Sequence, residues 1–203
     1  MAKISFKKPD ANAMCPVGFH VVRGHRRSCQ TGTRTWVDAH AAKNKKRAPT
    51  VYLEENIRYL YWNSDFDRYG TLKAIKGFPA HHEIDHAIQF WIDHWDSQGL
   101  TYPTDFGPLV VKAIVAVESS FNPDALSRKS TATGLMQITN TTRRDLAGQK
   151  RNDYRLLKDQ IVSVSMMDLK DPLINIASGT RWFAAKVAQI PAGNARNTYN
   201  LLK

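Results

Sequence analysis

The sequence predicts a mainly helical domain preceded by a basic, poorly patterned N-terminal arm, and three observations carry that expectation. Apolar residues recur at three- and four-residue spacing in several windows after residue 50. Apolar residues make up 42% and charged residues 23% of the chain, which is ordinary globular usage. The excess charge sits at one end. Of 203 residues, 29 are Lys or Arg and 18 are Asp or Glu, a net +11. Residues 1–50 hold 11 of the basic residues against only Asp10 and Asp38, whereas 51–203 hold 18 basic and 16 acidic side chains. We therefore read 1–49 as the arm and 50–203 as a nearly neutral domain. A chain of this length folds around one core without staples. No uncharged apolar run approaches the roughly 20 residues that span a bilayer, so neither wholesale disorder nor a membrane span is expected.

Within the arm, Val21-Val22-Arg23 and Thr35-Trp36-Val37 each suit the start of a short strand or helix, and Lys43 to Pro49 reads as a charged linker. Leu53, Ile57, Leu60 and Tyr61 then recur at helical spacing, with Glu54 and Glu55 in the first turn, where a helix favours negative charge. Asn63 to Phe78, with Gly70 and Gly77, reads as a connection, and a second helix is expected from about Ala80 to Ser97, closed by Gly99. Pro108 suits the first turn of a third helix carrying Leu109, Val110, Ala113, Ile114 and Val117, which Asn122-Pro123 discourages beyond Ser120. Further helical stretches are expected at 141–147, around 155–164 and at 175–188.

Glu118 stands out as a carboxylate ending an otherwise apolar helix after Val110, Ile114, Val115 and Val117. Apolar surroundings and a helix C-terminus both disfavour the ionised form, so an elevated pKa is expected, as a general acid near neutral pH requires. Position alone suits a solvated helix-end glutamate better than a catalytic one.

The neighbours are more specific. The chain continues Glu118-Ser119-Ser120-Phe121-Asn122-Pro123, then Ala125, Ser127 and Gly134-Leu135-Met136-Gln137-Ile138-Thr139. Farther on come Asp171-Pro172, Asn175-Ile176 and Gly179. Over about residues 84–203, with its motif-bearing core at 104–203, the sequence resembles the SLT-type lytic transglycosylases of the lysozyme-like superfamily. The resemblance implies a lysozyme-like helical fold and cleavage of the MurNAc-β-1,4-GlcNAc bond of peptidoglycan. It implies Glu118 as the catalytic acid and base, forming 1,6-anhydro-MurNAc ends. It also implies substrate-binding roles for Ser127, Met136, Gln137 and, from Thr198-Tyr199-Asn200-Leu201, Tyr199. No cofactor and no metal is implied. The chain departs from the family pattern by one apparent extra residue between Ser127 and Gly134 and by a longer stretch from Asp145 to Asp171.

Three other readings compete. A hydrolytic muramidase on the same fold would use a second carboxylate, for which Asp124, Asp145, Asp153, Asp159, Asp168 and Asp171 are available by sequence. His82-Glu83-Ile84-Asp85-His86 fits the HExxH pattern of zinc peptidases. On a helix, however, Ile84, Ile88, Trp91 and Trp95 would form one face and both histidines would point to solvent on the other, where a catalytic zinc has no walls. The basic arm, with Arg23, Arg26, Arg27, Arg34, Lys43, Lys45, Lys46 and Arg47, lacks the aromatic interleaving of a nucleic-acid platform. Adhesion to the anionic bacterial envelope is the expected role, and no nucleic-acid partner. Cys15 and Cys29 suit a loop disulfide or free thiols better than a zinc site with His20 and His25. The N-terminus lacks the apolar segment of a secretory signal. Delivery to the wall by lysis, by a secretion machine or after removal of a leader is expected, and an injected toxin would bring an immunity protein as partner.

Overall fold

The computed structural model describes residues 4–8, 19–22, 25–28, 34–37, 40–43, 49–150, 156–187, 189–190 and 194–202. Cys15, Cys29, Arg23, Lys45, Lys46 and Arg47 lie outside them. In the arm, β1 (Phe19–Val22) pairs antiparallel with β4 (His40–Lys43), and β2 (His25–Ser28) with β3 (Arg34–Val37). Val22 pairs with His40 and His25 with Val37, so both ladders follow one hairpin register. The β-branched and aromatic residues at 21–22 and 35–37 thus form strands. The first residues of the chain belong with the helical body. Ile4 is buried in the core, Phe6 meets Tyr61 edge-on at 5.4 Å, and the Trp62 Nε1–H donates to the Lys7 carbonyl at 3.0 Å.

The body is built from α1 (Glu54–Trp62), α2 (Asp85–Ser97), α3 (Pro108–Ser119), α4 (Asn140–Leu146), α5 (Pro172–Val187) and α6 (Thr198–Leu201). The fold is mainly helical, as expected. Its centre is α5, buried without interruption from Pro172 to Arg181. A helix apolar on all sides must be surrounded by others. The second helix contributes the expected face, with Ile84, Ile88, Trp91 and Trp95 fully buried. The Trp95 indole N–H bonds the Ala177 carbonyl at 3.1 Å and Thr180 Oγ1 at 3.2 Å, which pins α2 to α5. No described helix is long and apolar enough to cross a membrane.

Two element boundaries differ from expectation. Helix α2 begins at Asp85 rather than about Ala80, because His82 and Asp85 are drawn into a buried polar knot. The fully buried Lys112 ammonium lies 2.7 Å from Asp85 Oδ1 and 3.1 Å from His82 Nδ1, and Asp85 Oδ2 also accepts the Leu72 N–H at 2.9 Å. The expected helix at 155–164 is instead β6 (Ile161–Val162), paired in parallel with β5 (Val51–Tyr52). Gln160 takes a left-handed φ of 50°, which interrupts helical propagation, and the β-branched pair is buried by partners far away in the sequence.

Tyr52 carries this ladder into the core, where its hydroxyl meets His94 Nε2 at 3.2 Å. Burial lowers the His94 imidazole from 6.5 to about 4. The unfolded chain therefore takes up this proton at higher pH than the folded one, and stability falls as pH drops from about 6.5 towards 4. Between pH 7 and pH 4.5 the wild type is expected to lose about 2 kcal/mol more than His94→Gln in urea unfolding. Equal losses would refute the assignment.

Candidate active site

Helix α3 divides its residues between two tasks. Val111, Lys112 and Val115 face the core, whereas Val110, Ala113, Ile114, Val117 and Glu118 share the opposite stripe at helical spacing. Glu118 sits in the last turn and is exposed, and Val117 beside it is 84% exposed. The apolar enclosure expected around the carboxylate is thus one-sided in the free protein. The helix stops because Ser120 and Phe121 both adopt left-handed φ values, 52° and 60°. Two consecutive non-glycine residues in that region cost about 1–2 kcal/mol each. The turn is held by Phe121, which is buried and stacked on His81 at 4.4 Å with 5° between the rings, with Phe78 packed at 5.2 Å. His81 is itself buried and its Nδ1 has no hydrogen-bond partner, so its contribution there is the ring face.

After this turn, Asn122 Oδ1 accepts the Asp124 N–H at 3.0 Å and the chain folds into a tight loop. Bridges join Leu126 to Thr133 and Thr133 to Ile138. Ser127 is half-buried at its base, its N–H donating to the Ala132 carbonyl and its Oγ accepting the Lys129 N–H at 3.2 Å. The Gln137 amide donates to the carbonyls of Ala125 at 3.1 Å and Gly134 at 2.9 Å, so it braces the loop. Met136 is buried, with its thioether against Gly179, where any Cβ would collide with it.

Asn175 of α5 is the centre of this arrangement. Its Oδ1 accepts the Met136 N–H at 2.8 Å, and its Nδ2 donates to the carbonyls of Thr133 at 3.0 Å and Leu169 at 2.7 Å. Gly134, at φ 77°, passes so close to Asn175 that a side chain there would strike it. The sequence reading used Asn175 only as a landmark of a motif. The signal that points to it is an amide between Ile174 and Ile176 in an otherwise apolar helix.

The outer stripe of α3 forms one wall of a groove of about 530 Å³. Trp182, Phe183 and Lys186 from α5 form the second wall, and Leu201 and Leu202, at and just after α6, close one side. Of the five expected site residues, the groove takes Glu118. Ser127, Met136 and Gln137 lie on the loop that follows α3, and Tyr199 stands 68% exposed on α6. That short helix is tied to the approach of α3 by the Thr198 N–H, which donates to Asp105 Oδ1 at 2.9 Å. A second cavity of about 530 Å³ is polar, and Arg58 bridges Glu54 at 2.9 Å and Asp171 at 3.1 Å there, beside Asp124 and Asp168.

The HExxH histidines go to separate environments. His82 precedes α2 and joins the Asp85–Lys112 knot, next to an ammonium group. His86 is not solvent-facing as expected. The 63–78 connection folds over that side of α2, stacking Phe66 on His86 at 4.3 Å with Tyr61 and Tyr69 edge-on. Among the described residues no cluster of three His, Cys, Asp or Glu side chains is placed to hold a metal ion.

Residues 104–201 match the family model described as Transglycosylase SLT domain. No curated protein and no solved structure matches the chain.

Proposed function

We propose that this chain, in which residues 104–201 form a transglycosylase SLT domain, cleaves the MurNAc-β-1,4-GlcNAc bond of peptidoglycan with Glu118 as its acid and base. Activity of the peptidoglycan lytic-transglycosylase type is the family-level reading; the bond, the residue and the product are our assignment. One observation carries it. Among the described residues lining the groove, Glu118 is the one carboxylate, at the end of the helix that begins the matched motif region.

A single carboxylate suffices for the non-hydrolytic route. The Glu118 carboxyl protonates the glycosidic oxygen, the bond from muramyl C1 to that oxygen breaks, and the GlcNAc side leaves with its hydroxyl restored. The muramyl N-acetyl oxygen supports the positive charge at C1. The C6 hydroxyl then attacks C1, its proton passes to the Glu118 carboxylate, and a 1,6-anhydro end results. Inverting or retaining hydrolysis in most glycosidases uses a second carboxylate opposite the first, outside the substrate-assisted families. Because Glu118 is exposed in the free protein, the bound glycan itself must supply the desolvation that makes the carboxyl an effective acid.

Mass spectrometry of peptidoglycan digested by the full chain tests this directly. Anhydro-muramyl ends are expected. Reducing muramyl ends alone would overturn the transglycosylase route in favour of a muramidase, and uncut strands would overturn the glycan-cleaving reading itself.

A further inference from the structure

The helix that carries Glu118 is fixed by residues that precede the matched domain. One short segment, 78–85, meets α3 on either side of Glu118. Before it, the Lys112 ammonium is held by Asp85 Oδ1 at 2.7 Å and by His82 Nδ1 at 3.1 Å. Beyond it, the His81 ring lies flat on Phe121 at 4.4 Å with 5° between the planes. Phe78 packs on both of these rings, 5.9 Å from His81 and 5.2 Å from Phe121. The turn of helix bearing Glu118 is thus bracketed between the Lys112 knot and the Phe121 stack.

The stack guards a strained element. Ser120 and Phe121 hold φ values of 52° and 60°, a region that side-chain-bearing residues disfavour. Ser120 is exposed, so burial of the Phe121 ring is what offsets the strain. The conformation also caps the helix: the Ser120 N–H donates to the Ala116 carbonyl at 3.1 Å and the Asn122 N–H to the Ser119 carbonyl at 3.0 Å. If Phe121 swings away, these bonds go with it and the last turn, Glu118 included, is free to fray.

Resting on the glycan-cleaving reading, we propose that His81 is a positioning residue for the reaction: its ring, acting through Phe121, holds the left-handed turn and so fixes the direction in which Glu118 presents its carboxyl to the scissile bond. The ring face does this work, since His81 Nδ1 has no hydrogen-bond partner among the described residues and stands 3.9 Å from Glu83 Oε2. A phenyl ring would serve as well. His81 takes no part in proton transfer. A misplacement of about 1 Å at a reacting group costs about a hundredfold in rate, and it falls on kcat when the substrate contacts elsewhere stay intact.

The test is steady-state cleavage of soluble peptidoglycan fragments by the full chain, at a temperature where circular dichroism shows each variant folded. His81→Ala is expected to lower kcat about a hundredfold and to leave KM within about threefold. His81→Phe is expected to keep kcat within about threefold of wild type. Glycine takes a left-handed φ without steric cost, so Ser120→Gly alone should leave kcat within about threefold and, combined with His81→Ala, should recover at least about tenfold of the loss. That rescue distinguishes positioning from simple packing, because a glycine on the exposed turn fills no cavity. Amide exchange over 119–122 follows the same pattern, faster in His81→Ala and slowed again in the double variant. If alanine does not fold, His81→Gln, which keeps polar atoms but has no ring, carries the same expectations. Unchanged kcat in the alanine variant overturns the proposal, as does a phenylalanine variant as slow as alanine. A kcat loss that Ser120→Gly does not recover makes His81 structural and overturns it too. Wild type that leaves strands uncut, or Glu118→Gln that cuts as fast as wild type, fails the glycan-cleaving reading and this inference with it, whereas normal cutting with an indifferent His81 series fails this inference alone.

Discussion

Glu118→Gln is expected to lower the rate of glycan cleavage at least about a thousandfold while leaving stability within about 0.5 kcal/mol of the wild type. Both halves follow from where the residue stands. Glutamine preserves size and hydrogen-bonding reach but neither delivers a proton to the leaving oxygen nor accepts one from the C6 hydroxyl, and the proposed route uses the same carboxyl for both transfers. No other carboxylate lines the groove among the described residues, so none is at hand to substitute. Stability is spared because the side chain is exposed at a helix end. Turbidity clearance of purified cell walls gives the rate, and urea unfolding gives the stability. Activity within tenfold of wild type would remove Glu118 from its assigned role, and a large stability loss would make any activity loss uninformative about chemistry.

Legibility in the sequence followed the range of the interactions. Helices α1, α3, α4 and α5 announce themselves through local spacing, first-turn glutamates and Pro108, and their bounds fall within a few residues of expectation. What escaped depended on partners far along the chain. Ile161-Val162 becomes a strand only because Val51-Tyr52 offers a parallel edge, and the first turn expected for α2 is given up to Lys112, 27 residues beyond Asp85. His86 was expected in water because the aromatic cover from Phe66 and Tyr69 lies in a connection without periodicity.

At the site, the motif pointed to Glu118 and to the loop carrying Ser127, Met136 and Gln137. It did not reveal the contacts these residues make inside the protein, where Gln137 braces the loop through two carbonyls and Met136 packs on Gly179, since a binding amide and a bracing amide look alike in one sequence. The groove's far wall was equally hidden. Trp182, Phe183 and Lys186 belong to no motif of the sequence and meet the outer stripe of α3 only in the fold.

Asn175→Asp is expected to destabilise the fold more than Asn175→Ala, which itself is expected to cost about 3–5 kcal/mol. The side chain is fully buried and makes three hydrogen bonds, one accepted and two donated. Alanine leaves the Met136 N–H and the Leu169 carbonyl without this partner, while the Thr133 carbonyl keeps the Ile138 N–H at 3.1 Å, and each unsatisfied buried group costs about 1–3 kcal/mol. Aspartate keeps the acceptor for Met136 but turns the second arm from a donor into an anion facing two carbonyl oxygens. If packing volume governed the site, the near-isosteric aspartate would be the milder change and alanine the harsher; the direction of the hydrogen bonds predicts the reverse order. A pH series separates the two accounts further. The buried aspartate's folded pKa is raised above its unfolded value of about 3.9, so the folded state binds its proton first and the extra penalty of Asn175→Asp should shrink as pH falls, because the protonated acid regains a donor. Urea unfolding of both variants across pH measures this, and Met136 amide exchange reports whether the loss begins in the loop. An aspartate variant more stable than the alanine variant at neutral pH would show that Asn175 holds the loop by volume and not by its amide.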